Sequence, residues 1–428
     1  MREYIKHPKL GKIPSSWKGS KLSEIVDLEH GFQFRKEDFT DSGIPVIKIN
    51  NIIGNDLNLD NLSFIEPSRL EEFSRFLIKK NDILMSLTGN IGRVIEVGLI
   101  QRDFVQNYRV GKFVPVNRNE LYNRYIKYLL SSPLVLSQFF KFSNQSAQAN
   151  FGKQDMDKVW VAIPTSLPEQ QKIAEILSTV DAKIEIIDQQ ISETQELKKG
   201  LMQQLLTKGI GHTEFKDSAL GKIPKSWEVK ELDEIGVELI DGDRGTNYPK
   251  SKDFSNEVYC LFLSAKNVTK NGFKFNECQF ISEKKDKLLR KGKLSRNDFI
   301  ITTRGSVGHV AFYDDSIPFK HVRLNSGMVI LRDSKKNFET HFLYQFMKSP
   351  IFDSQVEVIT SGSAQPQLTI KGLKKLKLPI PPLKEQLIIG EVLFIISNKL
   401  EVLSEKKITY QEMKQGLMQQ LLTGKVRV

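Results

Sequence analysis

The sequence predicts an α/β (α+β) tandem repeat: two globular domains joined by two long antiparallel coiled-coil helices, with pseudo-twofold symmetry inside one chain. Three observations lead there. A chain of 428 residues exceeds one ordinary core, so two domains with connectors are expected. Blocks of sequence recur at an offset of 210 to 217 positions. Two separate stretches carry apolar residues at alternating steps of three and four, a heptad seam that needs a partner helix to cover it.

The repeat comes first because it organises everything else. LGKIPSSWKGSKLSEI (10–25) and LGKIPKSWEVKELDEI (220–235) are identical at ten of sixteen places. GLMQQLLT occurs at 200–207 and again at 416–423. Weaker echoes lie between: DILMSLTGNIGRV (82–94) with DFIITTRGSVGHV (298–310), LPEQQKIAEIL (167–177) with LKEQLIIGEVL (383–393), and SAQ at 146–148 and 363–365.

Each copy divides by composition into a head and a helix, giving domains at 1–165 and 209–382 and helices at 166–208 and 383–428. In the heads, apolar β-branched runs such as IPVIKIN (44–50), VYCLFLSAKNV (258–268) and GMVILR (327–332) are bounded by Gly, Asn and Asp, and predict strands and turns. One segment of each head, NELYNRYIKYLLSSP and NFETHFLYQFMKSP, has helical spacing. In the first helix the seam runs through Leu177, Val180, Ile184, Ile187, Ile191, Leu197, Leu201 and Leu205, softened at Thr194. The second holds Leu393, Ile396, Leu400, Leu403, Met413, Leu417 and Leu421, broken at Lys407 and Tyr410. Prolines (Pro168; Pro381 and Pro382) precede each helix and glycines (Gly209; Gly424) follow it. A run of about 38 residues gives roughly 57 Å of helix, enough for a spacer.

The net charge of +12 suggests a polyanionic partner, and its location sharpens that. Residues 166–208 carry five Lys and seven acidic residues, and 383–428 seven basic and five acidic, so the helices sum to zero and the surplus belongs to the heads. Such placement favours a phosphate-binding surface over a solvated helix face. Cys260 and Cys278 lie 18 positions apart without a CxxC or a His partner, and read as reduced thiols with no metal. No apolar run approaches membrane-spanning length and MREYIKHPKL lacks a signal-peptide core, so a cytoplasmic location is expected.

These motifs resemble the specificity (S) subunits of type I restriction-modification systems across essentially the full chain. The resemblance rests on the P-x-x-W start (Pro14 to Trp17, Pro224 to Trp227), the D-I-L-x-S-x-T-G-x-I-G-R-like turn, the proline followed by Glu-Gln (Glu169-Gln170, Glu385-Gln386), and GLMQQLLT, in order and twice over. It implies that the heads are target-recognition domains and the helices are spacers that hold two methyltransferase (M) subunits, with restriction/translocase (R) subunits joining. The copies differ locally: Thr-Arg-Gly-Ser-Val-Gly-His stands for Leu-Thr-Gly-Asn-Ile-Gly-Arg, and Gln-Pro-Gln-Leu (365–368) for Gln-Ala-Asn-Phe (148–151), as two unlike half-sites would require.

Bases are read by Arg, Asn and Gln, and phosphates are gripped by Lys, Arg and backbone amides. Three sets of DNA-binding candidates follow. The turn offers Asn90 and Arg93 in one copy and Arg304, Ser306 and His309 in the other; an ordinary hairpin with a solvated arginine is the alternative. The segment ahead of the helix offers Gln148, Asn150, Lys153 and Gln154, with Gln365, Gln367 and Lys371, against the alternative of a polar crossing loop. A strand end offers Lys48, Asn50 and Asn51, with Lys266 and Asn267. Trp17 and Trp227 read as packing residues. In GLMQQLLT, Leu201, Met202, Leu205, Leu206, Leu417, Met418, Leu421 and Leu422 are kept while the heads diverge, which favours a partner surface over plain helix pairing, although the two are compatible.

Chemistry for catalysis is missing from the sequence. No Asn/Asp-Pro-Pro-aromatic motif stands beside a glycine-rich cofactor loop, since Ile380-Pro381-Pro382-Leu383 lacks the polar residue and the aromatic. Gly-Lys at 11–12 and 221–222 is followed by Ile, so no Walker loop forms. The chain is expected to be non-catalytic and free of cofactors, with S-adenosylmethionine, ATP and Mg²⁺ implied for the partner subunits. Double-stranded DNA is the expected ligand. A free-standing two-headed DNA-binding regulator and a protein-binding repeat are the alternatives.

Overall fold

The computed structural model describes residues 3–54, 56–143, 150–255, 259–361 and 366–428. It divides into two compact units, Met1–Gln189 with Ser404–Val428, and Gln190–Leu403. The division cuts across the head and helix boundaries, because each unit takes one head and a part of both long helices.

The first unit is built on an antiparallel sheet in the order Val94–Glu96, Ile83–Ser86, Val110–Pro115, Val26–His30. Alternation is weak in the central strand Ile83–Ser86, all four residues of which are buried, because both faces are covered. A second sheet pairs Ile44–Ile47 in parallel with Val105–Gln106 and antiparallel with Ser63–Ile65. The predicted helix spans Asn123–Leu130, and a second one, Pro133–Ser143, follows it where the sequence reading had none.

The second unit repeats this order, with one further strand, Phe254–Ser255, at the edge of its smaller sheet. Glu238–Asp241, Met328–Arg332, Asp298–Thr302 and Val310–Tyr313 form its main sheet, and Cys260–Leu263 pairs in parallel with Val322–Leu324. Helices Thr340–Met347 and Pro350–Thr360 complete the match. One close approach is also kept: a β-carbon on Gly31 would stand 2.2 Å from the Gln106 carbonyl oxygen, and one on Gly242 would stand 2.3 Å from that of Asn325. Only glycine fits at either place.

The long helices run over Leu167–Leu205 and Leu383–Leu421, followed by Gly209 and Gly424 at positive φ. Within the first unit their segments are antiparallel, since Asp181 meets Lys414 (2.6 Å) and Asp188 meets Lys407 (2.5 Å). The seam is corrected at two places. Leu197 and Met413 are 54% and 47% exposed, while Thr194 is buried. Continuing the alternation from Thr194 by four reaches Lys198 and, in the other copy, Lys414, both half-buried. A lysine stem can line a seam while its ammonium reaches outward. Among the described residues no helix is long and apolar enough to cross a membrane.

Candidate nucleic-acid interface

Three of the motifs that mark the repeat converge where each head meets its helices. In the first unit the Trp17 indole donates to Glu169 Oε1 (3.2 Å), and Arg427 clamps the same carboxylate through Nε and Nη2, each at 3.2 Å. Gln170 accepts from the Tyr122 backbone N–H and donates to the carbonyls of Glu120 and Pro164. In the second unit Trp227 donates to Glu385 Oε2 (2.9 Å), whose Oε1 takes the Ile210 N–H and lies 2.9 Å from His212 Nε2. Gln386 accepts from Glu339 N–H and donates to the Pro381 carbonyl. The glutamate satisfies the buried indole and the glutamine satisfies loose backbone groups, so the pair locks the helix start to the head. Trp17 and Trp227 are packing residues, as read.

GLMQQLLT closes the same joint from the other helix. Met418, Leu421 and Leu422 pack into the core that holds Trp17, and Met202, Leu205 and Leu206 into the core that holds Trp227. The expectation of a partner surface is corrected for these six side chains. They are at most 9% exposed and, as they lie, offer a partner nothing to touch. Leu201 and Leu417 are half-buried against the same cores, while Gln203, Gln204, Gln419 and Gln420 face outward.

A different end of each unit carries the polar candidates. The turn after Ile83–Ser86 is built by a hydroxyl: Ser86 Oγ donates to the Asn90 carbonyl (2.5 Å) and accepts from Arg93 N–H (3.2 Å). Thr302 does the same in the second unit, donating to the Ser306 carbonyl and accepting from His309 N–H (3.0 Å). Gly89 and Gly92, like Gly305 and Gly308, take φ from +68° to +87°, so the hairpin reading of the glycines holds while their neighbours Asn90, Arg93, Arg304 and Ser306 stand exposed at the tip. His309 is half-buried, its Nδ1 lying 3.3 Å from the Val268 carbonyl.

The segment ahead of the helix joins this turn. Asn150 bridges to Thr88, and Phe151 N–H donates to Leu87 (2.9 Å). In the second unit Leu368 N–H donates to Thr303 (3.0 Å), and Gln367 Oε1 accepts from Arg304 Nε (3.2 Å) and Nη2 (3.1 Å) in the amide orientation its neighbours favour. Gln148 and Gln365 lie outside the described residues. Lys153 pairs with Asp27 (2.7 Å), which the sheet register sets toward the end away from the turn. Gln154 and Lys371 are exposed on short helices.

The strand-end set splits. Ile49 lies 3.7 Å from where a Gly89 β-carbon would be, which brings exposed Asn50 beside the turn. Asn51 and Asn267 are 1% and 3% exposed, and their assignment to DNA is corrected. The Asn51 amide accepts from Lys48 N–H and donates to Asn58 and Asp60 carbonyls, and Asn267 repeats this with Ser264, Lys274 and Glu277. Both hold a loop together. Lys48 Nζ donates to Ser63 Oγ (2.7 Å) and sits 3.8 Å over the Phe39 ring, and partial burial holds its pKa below the usual lysine range. Lys266 is exposed and pairs with Glu277 at 3.7 Å. The sequence reading missed Tyr108 and Arg109, which stand beside the turn because Leu87 N–H donates to the Arg109 carbonyl (2.9 Å).

Comparison with known proteins gives the family and the fold. Residues 14–196 and 224–410 match the type I restriction modification DNA specificity domain. The putative type I restriction enzyme MjaX specificity subunit of Methanocaldococcus jannaschii is 27% identical, over 100% of this chain and 97% of its own. The EcoKI specificity subunit of Escherichia coli K12 is 24% identical, over 88% and 81%. The crystal structure of a type I restriction-modification S subunit from M. genitalium shares the fold, with a TM-score of 0.63 over 98% of both chains at 17% identity. The chain belongs to the type I restriction-modification DNA specificity family and is a specificity subunit, whose task is to recognise DNA.

Proposed function

We propose that each unit reads one part of a split, asymmetric DNA site and that the paired long helices set the gap between the parts. Two methyltransferase subunits are thereby delivered to bases on opposite strands, and restriction subunits join them. The chain itself performs no catalysis; S-adenosylmethionine, ATP and Mg²⁺ belong to those partners, and the assembly works in the cytoplasm. One observation supports this reading above the others. The two units share one frame down to the hydroxyl that builds the turn, yet the residues at that turn differ: exposed Asn90 stands against exposed Ser306, and half-buried Thr88 against exposed Arg304. A common frame with unlike reading residues suits two unlike half-sites.

For both heads to reach one face of the duplex, the half-site centres stand about one helical turn apart, roughly 10 bp. Removing a matched heptad from each long helix shortens the spacer by about 10 Å. Mapping the methylated motif is then expected to show a changed gap with both half-sequences kept. An unchanged gap refutes the spacer role.

A further inference from the structure

Superimposing the two copies by their repeat exposes an exchange of residues beside the turn. The backbones pair identically there, Leu87 N–H donating to Arg109 (2.9 Å) and Thr303 N–H to Gly327 (2.8 Å). On this frame Thr88 corresponds to Arg304, and Arg109 to Gly327. One copy carries its arginine on the strand and a small residue on the turn; the other reverses them. The two positions are neighbours, because a β-carbon on Gly327 would lie 4.0 Å from Arg304 Cβ. Each unit therefore places a guanidinium from this pair of positions at the same corner of the sheet, delivered from opposite sides.

Both arginines are exposed and both are oriented by a neighbour. Tyr108 Oη accepts from Arg109 Nε (2.8 Å), and the guanidinium stacks 5.3 Å from the Tyr108 ring centre. That leaves the two terminal nitrogens as a donor fork. Arg304 is held by Gln367 through Nε and Nη2. Arg109 also edges a cleft of about 340 Å³ with Asn50 and Lys48, so an amide side chain stands near each guanidinium. A planar fork fixed at one end matches guanine O6 and N7; phosphate oxygens take the same fork, so base-specific loss is what separates the two.

We infer that Arg109 in the first unit and Arg304 in the second each read a guanine in the major groove of their own half-site. The inference rests on the split-site reading above and adds the residues that fix one base in each half. The test is selection of duplexes from a randomised library by the full-length chain, co-expressed with its methyltransferase subunit, as wild type, Arg109→Ala, Arg109→Lys and Arg304→Ala. Arg109→Ala is expected to lose about 10- to 100-fold of preference for guanine at one position of one half-site. The other half stays intact, which also reports that the variant folds. Lysine should restore only part of the preference, since its ammonium can reach O6 and N7 but lacks the planar fork, and Arg304→Ala should erase a guanine in the opposite half. If Arg109→Ala weakens recovery of all sequences while the selected motif keeps its guanines, the residue grips phosphate and the inference is overturned. Loss in both halves overturns it equally. A wild-type chain that selects no split site brings down the underlying reading, and the arginine assignment with it, so the two failures are told apart by the wild-type arm.

Discussion

At the same point of the repeat, one unit holds a buried aspartate among lysines and the other a serine in its place. Asp181 is 5% exposed and meets Lys127 (3.4 Å), the Tyr128 hydroxyl (2.9 Å) and Lys414 (2.6 Å). Its counterpart 216 positions on is Ser397, which donates to Gln345 Oε1 (3.3 Å) and to the Leu393 carbonyl. Tyr344 replaces Lys127 and Gln345 replaces Tyr128. Lys414, however, has Lys198 as its counterpart, so the second unit keeps the lysine and loses the aspartate. Burial pushes the Lys198 pKa down. Burial, with repulsion from Lys198, pushes Lys348 down to about 8 despite the attraction of Glu401. The difference teaches that the joint is specified by shape and apolar packing, while its charge is free to vary: a buried group either finds a partner or, like Lys348, holds its charge less firmly.

The largest effect is expected from breaking the charged side. Asp181→Ala strands two lysines and a tyrosine hydroxyl, and should cost about 3–5 kcal/mol, read as a lowered denaturation midpoint of the full chain. A loss under 1 kcal/mol would mean that the cluster is already solvated.

A smaller effect of opposite sign is expected on the side that lacks the aspartate. Lys348 has a folded pKa near 8 against an ordinary value of 10.5. Between those values the unfolded chain binds more protons, so stability rises with pH across that window and is flat below about pH 8. Lys348→Met should raise stability at pH 7 by about 1–2 kcal/mol and flatten the rise between pH 8 and 10.5. Denaturation at pH 7 and pH 10 checks both; a rise of wild-type slope in the variant would refute the assignment.

Ser397→Asp, the smallest change, would copy the charged arrangement into the second unit. It is expected to shift stability by about 1 kcal/mol or less at pH 7 and to make the alkaline rise shallower, as the new carboxylate holds the ammoniums charged. An unaltered slope would break the equivalence of the two positions.

The joint was the most legible part of the sequence. Pro-x-x-W, Glu-Gln and GLMQQLLT are repeated because they touch one another, and a contact that must be rebuilt twice leaves identical residues twice. Their role was less legible, since a Leu/Met stripe reads alike whether its cover is the chain's own tryptophan core or a partner. The seam failed at Leu197 and Met413 because periodicity favours any leucine, whereas geometry there selected a lysine stem. Asn51 and Asn267 had the right residue type for reading bases, but nothing local shows that a side chain turns inward to cap its own loop. Arg109 was hidden because the first copy, taken alone, shows only an arginine before a strand; it stands out when Thr88 and Arg304 are set beside Arg109 and Gly327.

The most direct test is to replace residues 1–165 with the corresponding head of another specificity subunit and to map the methylated motif in cells. Independent readers on a common frame require that one half of the motif changes while the other half stays. A motif altered in both halves would contradict two independent heads.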